Sequence, residues 1–466
     1  MILSIVISLI FHIYYLVLLI VIFKSGNIFA VIHSVIFVLL VPALQFIRFF
    51  DANAEEYVLS YYIATNFLVL FYLVLFAVGL FYLKKYLPEN GLIMNSAKSI
   101  KDSWLIAAFY GWIFLKCFLF IKYGAGAFSD FKNFSTFGPE LRYALWETPI
   151  ITFISIFSIG ASVIYVIKVS STNGYWKKMN LFIPFILFVI VNTLSHDIAI
   201  GPRRFLLILF LVYVFSVAWR DRIFIENHLQ TDWKKIILFS ILVFGLSGYY
   251  QIIRNNFSRP EIVEMISSPN PLDFTRGLIN VLVIVPEDQR VQTTASFFRE
   301  GPFDILYEVV EKLGAGNPGT RGEITYNSLM MVMPRIIVGE MKTDLNADDI
   351  LASKMGITPP GAFNRPDIAT NLPAIFIADF GIIGALATPL LMLFILVLFS
   401  ASLVNPNMAT PILVFFWFSL LVNIAGSVEG DFVVILANLR NGLLLWLICM
   451  PLLILFSKKT VLKEIY

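Results

Sequence analysis

MILSIVISLIFHIYYLVLLIVIF, residues 1–23, holds no acid, lysine or arginine before Lys24. About 20 apolar residues in a helix cross the hydrocarbon core of a bilayer, so this stretch predicts a membrane-spanning helix. It has neither a basic leading segment nor a small-residue cleavage site, and a retained span is expected rather than a signal peptide. The pattern recurs along the chain. Apolar runs at roughly 2–23, 28–50, 58–83, 104–122, 149–168, 181–198, 203–219, 235–250, 372–402, 410–426 and 433–456 meet the same criterion. The fold class that follows is an all-α polytopic membrane protein of about eleven transmembrane helices with one long, partly helical extracytoplasmic loop. Helices 1–8 occupy residues 1–250, the loop 251–371, and helices 9–11 residues 372–466.

Composition agrees. The chain is 59% hydrophobic and 14% charged, with a mean hydropathy of +0.83, against about 25% charged in an average soluble domain. Its 45 Phe, 19 Tyr and 8 Trp suit lipid-facing and interfacial surfaces. A formal net charge of +3, with no basic run or nucleic-acid motif, excludes nucleic acid as a partner class. The cysteines, Cys117 and Cys449, fall in separate predicted spans and give no disulfide or metal signal.

Orientation follows from the short connections that hold the basic residues. Lys24 follows the first span, Lys84, Lys85, Lys98 and Lys101 the third, and Lys168, Lys177 and Lys178 the fifth. Arg220, Arg222, Lys234 and Lys235 follow the seventh, and Lys458, Lys459 and Lys463 the last. These are alternate connections, so they share one side. With positive charge inside, the N-terminus is expected outside and the C-terminus in the cytoplasm. Arg203 and Arg204 then lie on the outer side, against the rule. Lys116, within the fourth span, is expected to snorkel outward with Lys122 along its alkyl stem.

Between the two apolar blocks, residues 251–371 hold eight arginines and three lysines against fifteen carboxylates. A connection of that length is functional or disordered, and its apolar segments at 277–285 and 328–338 argue for order. Residues 124–147, rich in glycine and aromatic rings, form a second outer segment, either an interfacial loop or a surface for sugar faces. No internal repeat suggests the inverted halves of a transporter.

Chemistry has few places to reside. GxxxxGK[ST], GxGxxG after a strand, HExxH, GxSxG and CxxC are all absent, so nucleotide hydrolysis, dinucleotide redox, zinc proteolysis and the serine-hydrolase elbow have no support. No cofactor is expected. In residues 196–204, HDIAIGPRR, the Gly-Pro pair breaks one helix and places Arg203 and Arg204 in the first turn of the next. Two guanidiniums there are electrostatically poor unless an anion joins them. A phosphate suits because arginine matches its oxygens with a bidentate fork, while lipid headgroups are the plainer partner. Arg254 follows the eighth span, and Arg335 sits in Met333-Pro334-Arg335 after an apolar run that can dip against the bilayer. Each binds phosphate or pairs with a loop carboxylate. Glu429 and Asp431 lie in the last outer turn, with Arg440 further along the next span. Desolvation near a membrane raises a carboxylate pKa, which suits a general base on a hydroxyl. A plain turn or a divalent-cation site are the alternatives, with metal binding the less favoured. His196 beside Asp197 is a second base candidate or a local hydrogen-bonded pair.

These elements together resemble a family. Gly-x-Arg-Arg opening a span, an arginine after the next span, Met-Pro-Arg-Ile-Ile, and Ala369-Thr370-Asn371-Leu372-Pro373 leading into Ala378-Asp379-Phe380-Gly381 look like the Wzy-type oligosaccharide repeat-unit polymerases. These assemble O-antigen, enterobacterial common antigen and capsule. Glu429-Gly430-Asp431 followed by Arg440 is similar too. A departure is Ile336-Ile337-Val338-Gly339-Glu340, where the family often has a proline-rich aromatic run. The resemblance implies a GT-C-like fold and a metal-independent, inverting glycosyltransferase. Its substrates are undecaprenyl-diphosphate-linked oligosaccharides and its partners include membrane lipids, a chain-length regulator and a flippase. It further implies that Arg203, Arg204, Arg254 and Arg335 bind diphosphates, that Glu429 or Asp431 is the base with Arg440 beside it, and that Asp379 and Glu323 support them. The alternatives are an O-antigen ligase-type transferase using His196 and a transporter or flippase of lipid-linked oligosaccharide.

Overall fold

A helix closes its backbone hydrogen bonds within itself, the requirement for a segment that crosses hydrocarbon. In a computed structural model of the chain, every regular element among the described residues is helical, with no strand. The structure describes residues 2–25, 27–43, 57–87, 90–123, 147–171, 178–195, 202–220, 302–333, 335–341, 347–357, 371–404 and 411–426, with scattered positions at 237–276 and 432–444. The helices are α1 (Ile2–Phe23), α2 (Ile28–Val38), α3 (Leu59–Tyr82), α4 (Asn90–Ser99), α5 (Asp102–Tyr123), α6 (Glu147–Ser171), α7 (Met179–Ser195) and α8 (Pro202–Arg220). They continue with α9 (Pro302–Gly314), α10 (Glu323–Val332), α11 (Arg335–Val338), α12 (Ala347–Met355), α13 (Leu372–Phe380), α14 (Gly384–Val404) and α15 (Pro411–Gly426).

Five stretches are long and apolar enough to cross a membrane: Leu3–Phe23, Leu59–Tyr82, Asp102–Leu119, Phe153–Ser171 and Leu372–Leu398. α7 and α8 contribute shorter apolar helices. The eighth expected span and most of the eleventh lie outside the described residues. The ninth, expected as one helix over 372–402, is broken. Gly381 ends α13 with φ at 62°, and the chain folds back so tightly that a Cβ on Gly384 would stand 1.9 Å from the Phe376 carbonyl oxygen. Only glycine fits both positions.

By contacts the chain forms two units. One unit takes Met1–Ile93, Phe298–Leu413 and Asn423–Tyr466. At its centre is α3, against which α1, α9 and α14 pack. Buried polar pairs fix the register there, as they must where no water competes. The Tyr15 hydroxyl donates to Asn66 Oδ1 at 2.8 Å, and His33 shares a hydrogen bond with Tyr72. Gly79 admits Leu393 of α14, whose Cδ1 would lie 2.2 Å from an added Cβ.

The other unit takes Met94–Phe297 and Val414–Val422. Here α6 packs against α5 and α8, and α5 against α7. The Phe109 ring meets Tyr165, Phe185 and Phe188, and Gly160 leaves room for the Phe415 backbone. Ion pairs close both ends of the antiparallel α5–α6 pair. Lys122 Nζ lies 2.6 Å from Glu147 at one end; at the other Lys168 and Lys178 reach Asp102 at 3.0 and 2.9 Å. The snorkelling expected of Lys116 is not what the structure shows. Its side chain is buried, with the ammonium 5.0 Å from the Trp112 ring centroid, where the negative ring face offsets part of the desolvation.

Candidate functional site

Within residues 251–371, the first long described helix is built onto apolar helices of its unit. α9 has an apolar side in which Phe303, Ile305, Leu306 and Val309 are buried, and it packs on α3 and α13. Its docking is polar as well. The Tyr57 hydroxyl donates to the buried Asp304 carboxylate, and the Val58 N–H at the start of α3 donates to the Tyr307 oxygen at 2.9 Å. Burial raises the Tyr307 phenol above its ordinary pKa; the Val58 bond opposes the shift, and Glu311, Tyr61 and Glu308 add to it.

From α9 the chain enters Gly314-Ala315-Gly316-Asn317-Pro318-Gly319-Thr320-Arg321-Gly322, a turn in which Gly316, Gly319, Arg321 and Gly322 all take positive φ. The turn presses on the end of α13: Thr320 N–H donates to Ala378 O at 2.9 Å, and a Cβ on Gly319 would stand 2.4 Å from that oxygen. Arg321, at φ 54°, is the one non-glycine among the described residues in this region, and its side chain is exposed. The density of Gly, Asn and Pro is the signal in the sequence for this turn.

α10 follows, held at both ends. The buried Asp379 carboxylate of α13 accepts from Ile324 N–H at 3.1 Å, Thr325 N–H at 2.7 Å and the Thr320 hydroxyl. Those amides would otherwise lack partners at a helix start, and a negative charge there complements the helix dipole. At the other end, Arg440 Nη1 donates to Val332 O at 2.6 Å, and its Nε and Nη2 donate to Asn441 Oδ1 at 3.1 and 2.9 Å. Carboxylate at the N-terminus and guanidinium at the C-terminus both suit α10. Glu323, its first residue, pairs with Lys354 of α12 at 3.1 Å with both side chains partly exposed, a contact worth little.

Three sequence candidates, Glu323, Asp379 and Arg440, therefore converge on one short helix. Arg335 opens α11 just beyond it, three residues after Val332. Arg203 and Arg204 fall where expected, in the first turn of α8 behind Pro202, within the other unit. His196, Arg254, Glu429 and Asp431 lie outside the described residues. Both Asp379 oxygens are engaged by donors, which suits a fixed cap and not a proton shuttle. Among the described residues no cluster of His, Cys, Asp and Glu could hold a metal ion. Compared with known proteins, the chain matches no family model, no curated protein and no solved structure.

Proposed function

We propose that this chain is a membrane-embedded polymerase joining polyprenyl-diphosphate-linked oligosaccharide repeat units on the outer leaflet of the cytoplasmic membrane. In the reaction the acceptor hydroxyl oxygen attacks the anomeric carbon of the donor glycan. The bond from that carbon to the diphosphate breaks, the hydroxyl proton passes to Glu429 or Asp431, and polyprenyl diphosphate leaves with inversion. Negative charge grows on the leaving group, so preorganised guanidiniums stabilise the transition state. Arg203, Arg204, Arg254 and Arg335 are assigned to the two diphosphates.

The observation that supports this reading best is the mounting of the turn before Arg335. Asp379 and Arg440 tie both ends of α10 to other elements of its unit. A donor presented from a fixed element loses little entropy in reaching a phosphate. Arg203 and Arg204 add support, because α8 has no acid in its first turn to answer them. The test is polymerisation of synthetic lipid-linked repeats by purified protein in vesicles. Folded Arg203→Ala and Arg254→Ala variants are expected to lose about 10²–10³-fold in rate, as for other charge-stabilising donors; wild-type rates would remove the arginine assignment. Gene deletion separates the alternatives: one repeat per carrier marks a polymerase, long chains left on polyprenol a ligase, and units retained inside a flippase.

A further inference from the structure

A helix beside water turns its apolar side inward. α10 does the reverse in part. Its buried side includes Asn327 and Ser328, while Tyr326, Leu329 and Met333 are exposed. Those three, with Met330, recur at the three- and four-residue spacing of a single helix face. Beyond Pro334, Ile337 and Met341 are exposed as well. Tyr326 is 50% and Ile337 64% exposed. The charged Glu323–Lys354 pair flanks the start of the helix. An apolar face with a charged flank is the pattern of a helix lying in a membrane interface.

What covers this face is indicated by where α10 begins. Its first turn is tied to the end of α13 through Asp379, and the Phe380 ring lies 3.5 Å from where a Gly322 Cβ would be. Phe380, Ile382, 78% exposed, and Ile383, which lead along the chain into α14, are exposed too. On α14, Leu386, Leu390, Phe394 and Leu398 repeat every fourth residue and are all exposed, the lipid-facing stripe of a span. α10 itself starts beside the end of α13, a few residues before that stripe begins. Exposed apolar side chains in this number, on elements joined at one point, mark a surface that something apolar covers.

We infer that α10 and α11 dock in the membrane interface, their exposed apolar row immersed among phospholipid acyl chains beside the start of α14. The inference needs only the spans and holds whatever reaction the protein catalyses. The test uses the full chain with Cys117→Ser and Cys449→Ser, in vesicles of phosphatidylethanolamine and phosphatidylglycerol without polyprenol. Single cysteines at Tyr326→Cys, Ile337→Cys, Leu390→Cys and Lys354→Cys carry a bimane label. Positions 326 and 337 are expected to lose at least half their fluorescence to lipids with a nitroxide at acyl carbon 5 and less to carbon 12. Position 390 should respond to both lipids, and 354 to aqueous iodide. Quenching of 326 and 337 by iodide as strong as at 354 overturns the inference. So does protection from all quenchers, which would mean a protein contact, or lipid quenching only after polyprenyl phosphate is added. If the cysteine-free chain fails to assemble, Cys117 is retained and its signal in the parent subtracted.

Discussion

At the scale of single residues, the turns at the ends of α13 depend on what a side chain would strike. An alanine at Gly384 would drive its Cβ into the Phe376 carbonyl, so Gly384→Ala is expected to destabilise by about 3 kcal/mol or more. Gly111, in mid-helix with nothing near its missing Cβ, gives the contrast. Gly111→Ala is expected to stabilise by about 0.5–1 kcal/mol. Thermal unfolding of the two variants in one detergent checks both signs. Asp379→Ala strands two backbone amides, with an expected cost of about 3–6 kcal/mol, since each bond to a charged group contributes about 1.5–3, and it frees the Thr320 hydroxyl. Asp379→Asn retains one acceptor oxygen and should cost about half as much. At Arg321 the left-handed backbone costs a side chain about 1–2 kcal/mol, and glycine's greater unfolded freedom returns about 0.5–1. Arg321→Gly is therefore expected to stabilise slightly; a loss of polymerisation in that variant would place the guanidinium in the site.

Among elements, α10 is the one whose order depends on distant groups. Removing the C-terminal brace with Arg440→Ala frees the Val332 carbonyl and loosens the Met333–Arg335 turn. Trypsin is expected to cut after Arg335 several-fold faster in that variant, with Arg440→Lys intermediate because it keeps the charge but not the fork. Unchanged cleavage would show that the brace does not hold the turn. α9 is anchored by the neutral Tyr307 phenol. Because its folded pKa is raised by burial, its contribution is complete below the ordinary phenol value of about 10 and is lost as pH rises above it. Tyr307→Phe should remove that alkaline loss along with about 1 kcal/mol of stability.

For the whole molecule, the expected topology places the two termini on opposite sides. Reporter fusions after residue 24 and at the C-terminus should both be cytoplasmic, and one within 124–146 should be external. The clustering of Lys168 and Lys178 on Asp102, away from the Lys122–Glu147 end of α5 and α6, fits the side sharing inferred from basic residues. Which side is cytoplasmic rests on the charge rule.

Where the apolar helices lie was legible in the sequence, because hydrophobicity accumulates over a local window and a bilayer sets the length. Helix-opening positions such as Arg203 after Gly-Pro were legible for the same reason: the signal lies within a few residues. Only the tertiary structure revealed that the 372–402 run folds back at Gly381, that Lys116 is buried against Trp112, and that α10 turns apolar residues outward. The roles of Asp379 and Arg440 likewise depend on contacts 55 and 108 residues apart. A carboxylate in an apolar run has no legible role until its donors are known, and those donors are chosen by how the helices pack.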